Sequence, residues 1–211
     1  MAQMGRPRTF DRDAAVDQAM HLFWEHGYQA TSLSQLKAGI GGGISAPSFY
    51  AAFGSKEALF EEVVERYMST HGRVTESLFD STLAARDAVE LTLRRSARMQ
   101  CEVGHPRGCM VALGVIGVCT PGQGHSLLGA VRERTRNGLR ACIERAIGEG
   151  ELAADTDVQA LTSAFDSFLL GLSTLARDGI GHGPLDAAVS QIMKLWDLSL
   201  IHISEPTRRR G

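Results

Sequence analysis

Apolar positions in residues 11–69 recur at three- and four-residue spacing, which is the period of a helix with one buried face. Val16, Ala19, Met20 and Phe23 form one such stripe, predicting a first helix from about Asp11 to His26. Asp11 and Asp13 lie near its start, where the helix dipole favours negative charge, and Gly27 stops it. A second helix starts at Thr31 or Ser32, because Ser32 and Gln35 have capping-box spacing. It is short, since Gly39 and then Gly41-Gly42-Gly43 break it. A third begins near Ser45 with Pro47 in its first turn and ends at Gly54. Ser55 then caps a longer fourth helix, Lys56 to about Ser69, with Leu59, Phe60, Val63, Val64 and Tyr67 apolar.

After His71-Gly72 longer helical patterns follow, over about 85–103, 109–118, 126–147, 158–176 and 185–195. Glycine- and proline-containing breaks separate them, no segment alternates apolar and polar over a useful length, and no internal repeat is visible. The fold class expected is therefore all-α, with a small helix-turn-helix domain over 8–69 and a helical bundle over 70–197. Residues 198–211 fit neither pattern. Leu-Ser-Leu-Ile-His-Ile-Ser-Glu-Pro-Thr-Arg resembles translated adapter sequence, so the stretch reads as a non-native tail. The rival reading is a native extension whose Arg208-Arg209-Arg210 end touches nucleic acid.

Composition narrows the class. The chain has 211 residues, 44% hydrophobic and 22% charged, which argues against a disordered or linker protein. Its 22 Lys+Arg against 24 Asp+Glu exclude a purely electrostatic nucleic-acid binder but not one with a local reading face. Cys101, Cys109, Cys119 and Cys142 form no C-x-x-C pair, and no apolar h-region opens the chain. Reduced core thiols and a cytoplasmic location are expected. The longest apolar run, 109–119, falls far short of the ~20 residues that span a bilayer, so no membrane association is expected.

A short helix, a turn and a second short helix braced by a longer first one is the arrangement that lays a helix in the DNA major groove. Thr31 and Ser32 could present donors to a phosphate at the start of the second helix. Ser45, Ala46, Pro47 and Ser48 are small enough to let the third helix sink into the groove, and can meet base edges or a thymine methyl. Tyr50 and Lys56 are placed to grip the flanking backbone, while Phe49 and Phe53 face the core. Arg6 and Arg8, in a Gly-Arg-Pro-Arg arm, suit a narrow, electronegative minor groove.

These residues also carry a family resemblance. Phe10-Asp11, Leu22-Phe23-Trp24-Glu25-His26-Gly27-Tyr28 and Thr31-Ser32-Leu33 resemble the opening of a TetR/AcrR-type repressor. Ile44 to Leu59, with Phe49-Tyr50, Phe53, Lys56 and Leu59 in order, resembles its recognition helix and the start of its fourth helix. The glycine turn is about two residues longer than the commonest form in that family, and such a turn could tilt the recognition helix. The resemblance implies a homodimer on a double-stranded DNA operator, with C-terminal helices forming an effector pocket and a dimer face. By that resemblance the pocket candidates are Met99, Met110, Leu113, Leu128, Val131, Phe165 and Phe168. Asp166, Phe168, Leu169, Gly171, Leu172 and Leu175 lie on a helix it would place in the dimer interface.

Other chemistry finds less support. The glycine turn follows no strand and fails the dinucleotide pattern at Ile44, and Ser34-Gln35-Leu36-Lys37 lacks the further elements of a β-lactamase site. The seven histidines have no ligand spacing, so no metal and no cofactor are expected. The expected function is a ligand-responsive regulator, a repressor released from DNA by a small molecule, and not an enzyme. The rival is an all-α small-molecule binder or enzyme that retains the helix-turn-helix as scaffold.

Overall fold

The structure, a computed structural model, describes residues 11–114 and 123–201. Among the described residues every regular element is helical. Four helices build the N-terminal head: α1 (Arg12–His26), α2 (Leu33–Gly39), α3 (Ala46–Phe53) and α4 (Lys56–Ser69). Each starts on a side-chain cap. Asp11 accepts from Ala14 N, Ser32 from Gln35 N, Ser45 from Ser48 N and Ser55 from Ala58 N. At α2 the cap is reciprocal, since Gln35 Oε1 accepts from Ser32 N at 2.7 Å.

The apolar stripes of these helices meet in one core. Val16, Ala19, Phe23 and Trp24 of α1, Leu36 of α2, Phe49 of α3 and Leu59, Phe60 and Val63 of α4 are buried there. Ion pairs on its rim clamp α1 to α4: Arg12 to Glu62 at 2.7 Å, and Arg66 to Asp13 at 2.9 Å and to Asp17 at 3.2 Å. Met99, Met110, Val111 and Leu128 join this same core. The head is thus packed onto the next helices rather than hung from them.

A 3-10 helix (His71–Phe79) follows α4, an element the apolar spacing did not predict. Ser77 pins it to the bundle by donating to Ala88 O at 2.9 Å and lying 2.7 Å from the Thr92 hydroxyl. The bundle comprises α5 (Ala85–Met99), α6 (Met110–Leu113), α7 (Gln123–Gly148), α8 (Val158–Arg177), α9 (His182–Ile192) and α10 (Lys194–Ile201). Helix α5 ends four residues before the expected Val103. Gly104 has φ of 99° and Gly108 N bonds back to Gln100 O at 3.0 Å, which closes a loop there. The expected helix over 109–118 is seen only as α6, because residues beyond 114 fall outside the described residues. The expected helix over 185–195 is two helices meeting at Met193, and α9 begins early because Pro184 sits in its first turn, where no N–H is required.

The second core gathers Leu93, Ile143, Phe165, Val189 and Trp196 from α5, α7, α8, α9 and α10. Arg94 and Arg86 of α5 tie α9 and α10 to it through Asp186 and Asp197, both at 2.9 Å, with Glu90 between the two guanidinium groups. Leu198 and Ser199 belong to α10, so the first residues of the expected tail continue a helix. Residues 202–211 fall outside the described residues.

Candidate nucleic-acid interface and ligand cavity

Helix α3 presents two faces. Phe49 and Phe53 are buried, as their spacing requires, and the opposite face carries exposed Ser45, Pro47, Ser48 and Tyr50 with Ala46 half-buried. The Ser45 and Ser48 hydroxyls lie 2.9 Å apart, and Tyr50 is 51% exposed. Lys56 is half-buried at the start of α4, its ammonium 4.3 Å above the Tyr28 ring. Burial pushes the Lys56 pKa down, with Glu57 opposing. The Tyr28 phenol, desolvated and bonded to Glu57, is pushed up to about 12.

Ser32 is exposed, but Thr31 is a correction to the expected interface. It is fully buried. Its hydroxyl donates to Gly27 O at 2.7 Å and its N–H to the same carbonyl at 3.2 Å. Both donors are consumed inside the head, so Thr31 holds the α1–α2 corner instead of a phosphate. Arg6 and Arg8 fall outside the described residues.

Two residues beyond the expected set position α3. Arg12 donates to Ala52 O at 3.3 Å at the C-terminal end of α3 and lies over the Phe53 ring. Gln18 accepts from Gly41 N at 2.7 Å and anchors the glycine turn. Gly41, Gly42 and Gly43 all have positive φ, and Ile44 N reaches back to Lys37 O at 2.8 Å. The long turn is therefore a closed, hydrogen-bonded structure. No spacing rule identifies Arg12 or Gln18, since their partners are distant in sequence.

Between head and bundle lies a mostly apolar cavity of about 50 Å³. Tyr67 and Met68 of α4, residues of the 3-10 helix, α5, Cys109, α6, α7 and α8 surround it. Of the pocket candidates, Met99 and Val131 line it. The other pocket candidates are placed elsewhere. Met110 and Leu128 are buried in the head core, Phe165 is in the bundle core with Phe168 packed against it, and Leu113 packs under Gly108. Their apolar character marked them for burial, and periodicity alone cannot separate a core wall from a cavity wall. The Tyr67 hydroxyl donates to Cys109 Sγ at 3.2 Å, and burial pushes that phenol well above its ordinary value.

The cavity adjoins the joint to α1. Trp24 Nε1 donates to Gly108 O at 3.1 Å, next to Cys109, and Trp24 stacks on His105 at 4.5 Å. Gly108 has φ of 83°, and a Cβ there would stand 2.8 Å from Ser173 O. Arg177 of α8 donates to Trp24 O at 3.0 Å and pairs with Glu25 at 3.2 Å. The last turn of α1 is thus held by the cavity loop on one side and by α8 on the other.

Known proteins share this plan. Residues 15–63 match the model for bacterial regulatory proteins of the tetR family, and residues 89–192 match that for the tetracyclin repressor-like C-terminal domain. The HTH-type transcriptional repressor ComR of Escherichia coli (strain K12) is 34% identical over 201 residues, covering 91% of each chain. The repressor BdcR of the same organism is 33% identical over 111 residues, 53% of this chain and 55% of BdcR. Among solved structures, a cysteine-substituted form of the TetR family transcriptional regulator CifR, complexed with 26-bp double-strand operator DNA, superposes with a TM-score of 0.80. It is 37% identical and covers 91% of this chain and 100% of that one. Helix-turn-helix head and helical bundle agree with those matches, and the chain belongs to the TetR family of bacterial transcriptional regulators.

Proposed function

We propose that this chain is a transcriptional repressor that binds a pseudo-palindromic operator as a homodimer and leaves it when a small molecule enters the junction cavity. The observation that carries the proposal is the junction itself: one cavity is walled by α4 of the head and by α5, α7 and α8 of the bundle, and its loop holds Trp24 of α1. A ligand that fits one spacing of these helices better than another shifts the head, and only that difference in affinity can release DNA. The α3 face supplies Ser45, Ala46, Pro47 and Ser48 to base edges, with Tyr50, Lys56 and Ser32 on the backbone and Arg6 and Arg8 in the minor groove. Two such helices enter successive major grooves about 34–36 Å apart. The dimer face is formed by α8 and α10, where Gly171 opens onto free space and Leu175, Leu195 and Leu198 are exposed. CifR was solved on operator DNA, and ComR and BdcR are named repressors, which supports the same role here. No helix among the described residues is long and apolar enough to cross a membrane, consistent with a cytoplasmic site of action.

A Tyr50→Ala variant separates this from a small-molecule binder that merely keeps the scaffold. Tyr50 is half exposed, so folding stability changes by less than about 0.5 kcal/mol in a urea melt. Affinity for DNA flanking the chain's own gene falls at least about tenfold in a gel shift, if the side chain grips the backbone. Undiminished DNA affinity, or no salt-sensitive shift with the unaltered chain, would sink the proposal.

A further inference from the structure

The polar groups around the junction cavity are engaged with the protein itself. Thr75 Oγ1 donates to Gly72 O and Thr135 Oγ1 to Val131 O, both at 3.2 Å. The Tyr67 hydroxyl donates to Cys109 Sγ at 3.2 Å. Asp166 is held by Arg136 Nε at 2.8 Å. Arg132, half-buried, donates to Val111 O at 2.9 Å and feels the attraction of Asp166, so its charge already has company. Gln100 Oε1 and Ser173 Oγ are buried without a hydrogen bond, but they present no surface to the cavity.

What faces the space is chiefly hydrocarbon and thioether sulfur, from Met68, Met99, Val111, Val131, Leu169 and Leu170. Gly72 makes room for one of these: a Cβ there would stand 2.7 Å from Met68 Sδ. The enclosed space, about 50 Å³, admits roughly three to five water-sized groups at ~10–15 Å³ each. Water is a poor occupant of such a wall, because it needs about two to four polar partners. A charged or hydrogen-bonding guest would shed its own water and find no free partner in return. An apolar guest leaves water at a gain and adds dispersion contacts with every wall atom it meets. The two unbranched methionines let the wall adjust to its shape.

We propose that the junction cavity takes a neutral, apolar molecule of roughly three to five non-hydrogen atoms, and that this is the chemical class of the effector. Recognition is by size and shape, not by charge or hydrogen bonding. A guest so small has few atoms with which to gain affinity, so its Kd is about micromolar at the tightest. Seated there, it touches α4 through Tyr67 and Met68, α7 through Val131 and α8 through Leu169. A molecule slightly larger than the space therefore presses the head away from the bundle. The inference rests on the ligand-responsive reading above, and it assigns the chemistry of that ligand.

Titration of the intact chain with dimethyl, ethyl methyl and diethyl sulfide, followed by ligand-observed NMR, tests it. Propanamide, propanoate and propylammonium serve as polar probes of similar size. At least one thioether should bind saturably, and at least about tenfold tighter than each polar probe, since those would bury an unpaired group. Val131→Phe, which places a ring in the space, should weaken that binding at least about tenfold. Val131→Leu, a smaller filling, should weaken it several-fold and serves where the phenylalanine variant does not fold. A polar probe that binds as tightly, affinity unmoved by filling at Val131, or no saturable binding of any thioether up to its solubility limit would overturn the proposal. A parallel gel shift keeps the two levels apart. DNA binding with no thioether binding refutes only the ligand chemistry, whereas thioether binding that never releases DNA upholds the cavity's chemistry and refutes the release mechanism.

Discussion

Thr31 shows how a residue type can suit two environments that a sequence does not distinguish. A threonine before a helix start is a good donor to phosphate, and equally a good internal brace. Burial decides: its hydroxyl bonds to Gly27 O inside the head, while the neighbouring Ser32 stays exposed and caps α2. Thr31→Val keeps the shape and removes the donor, so it should lower folding stability by about 1 kcal/mol. DNA affinity, measured on the folded fraction, should stay within about twofold, because the lost bond was never directed outward. A large loss of affinity without loss of stability would return Thr31 to the interface. Ser45, Ser48 and Tyr50 behave as their spacing implied because the burial of Phe49 and Phe53 fixes which face of α3 remains outside.

At the scale of elements, the four head helices were legible because caps, glycine stops and apolar stripes agree. The 3-10 helix was not, since its tighter turn carries no α-helical stripe and it is held by Ser77 reaching across to α5. The glycine turn was legible as a break but not as a rigid one. Its three positive φ angles and the Gln18–Gly41 bond make it a fixed spacer that sets the angle of α3. Neither Gly42 nor Gly43 has an atom within 4 Å of an added Cβ, so their requirement is conformational, not steric. Gly42→Ala should therefore cost about 1–2 kcal/mol from the left-handed backbone alone, read as a lower urea midpoint with unchanged slope. A neutral result would mean that the turn relaxes to another path.

At the scale of the molecule, the division into head and bundle was legible, but the joint was not. Trp24, Gly108, His105 and Arg177 come from three distant stretches, and no local pattern unites them. The joint also contains a histidine that contributes to acid sensitivity. His71 packs against Trp24 and His105, at centroid distances of 5.0 and 4.6 Å. Its pKa is lowered, first by burial and then by His105 and His21, with Glu102 and Asp17 opposing. A histidine whose folded pKa lies below its unfolded value binds its proton more readily in the unfolded chain. Its contribution to stability is then fully present above the unfolded value near 6.5 and declines as pH falls toward the folded value. Thermal midpoints should drop between pH 7 and 5.5, and His71→Gln should flatten that slope. An unchanged slope would place the acid sensitivity in other groups.

The central claim is that two copies of α3 read successive major grooves of one operator. Hydroxyl-radical footprinting of the intact chain on the DNA flanking its own gene tests it most directly. The account predicts a protected pseudo-palindrome whose half-site centres lie about one helical turn, ~34–36 Å, apart, lost in Tyr50→Ala and lost when the effector binds. A single unpaired patch of protection, protection without sequence preference, or protection that persists in the Tyr50 variant would contradict it.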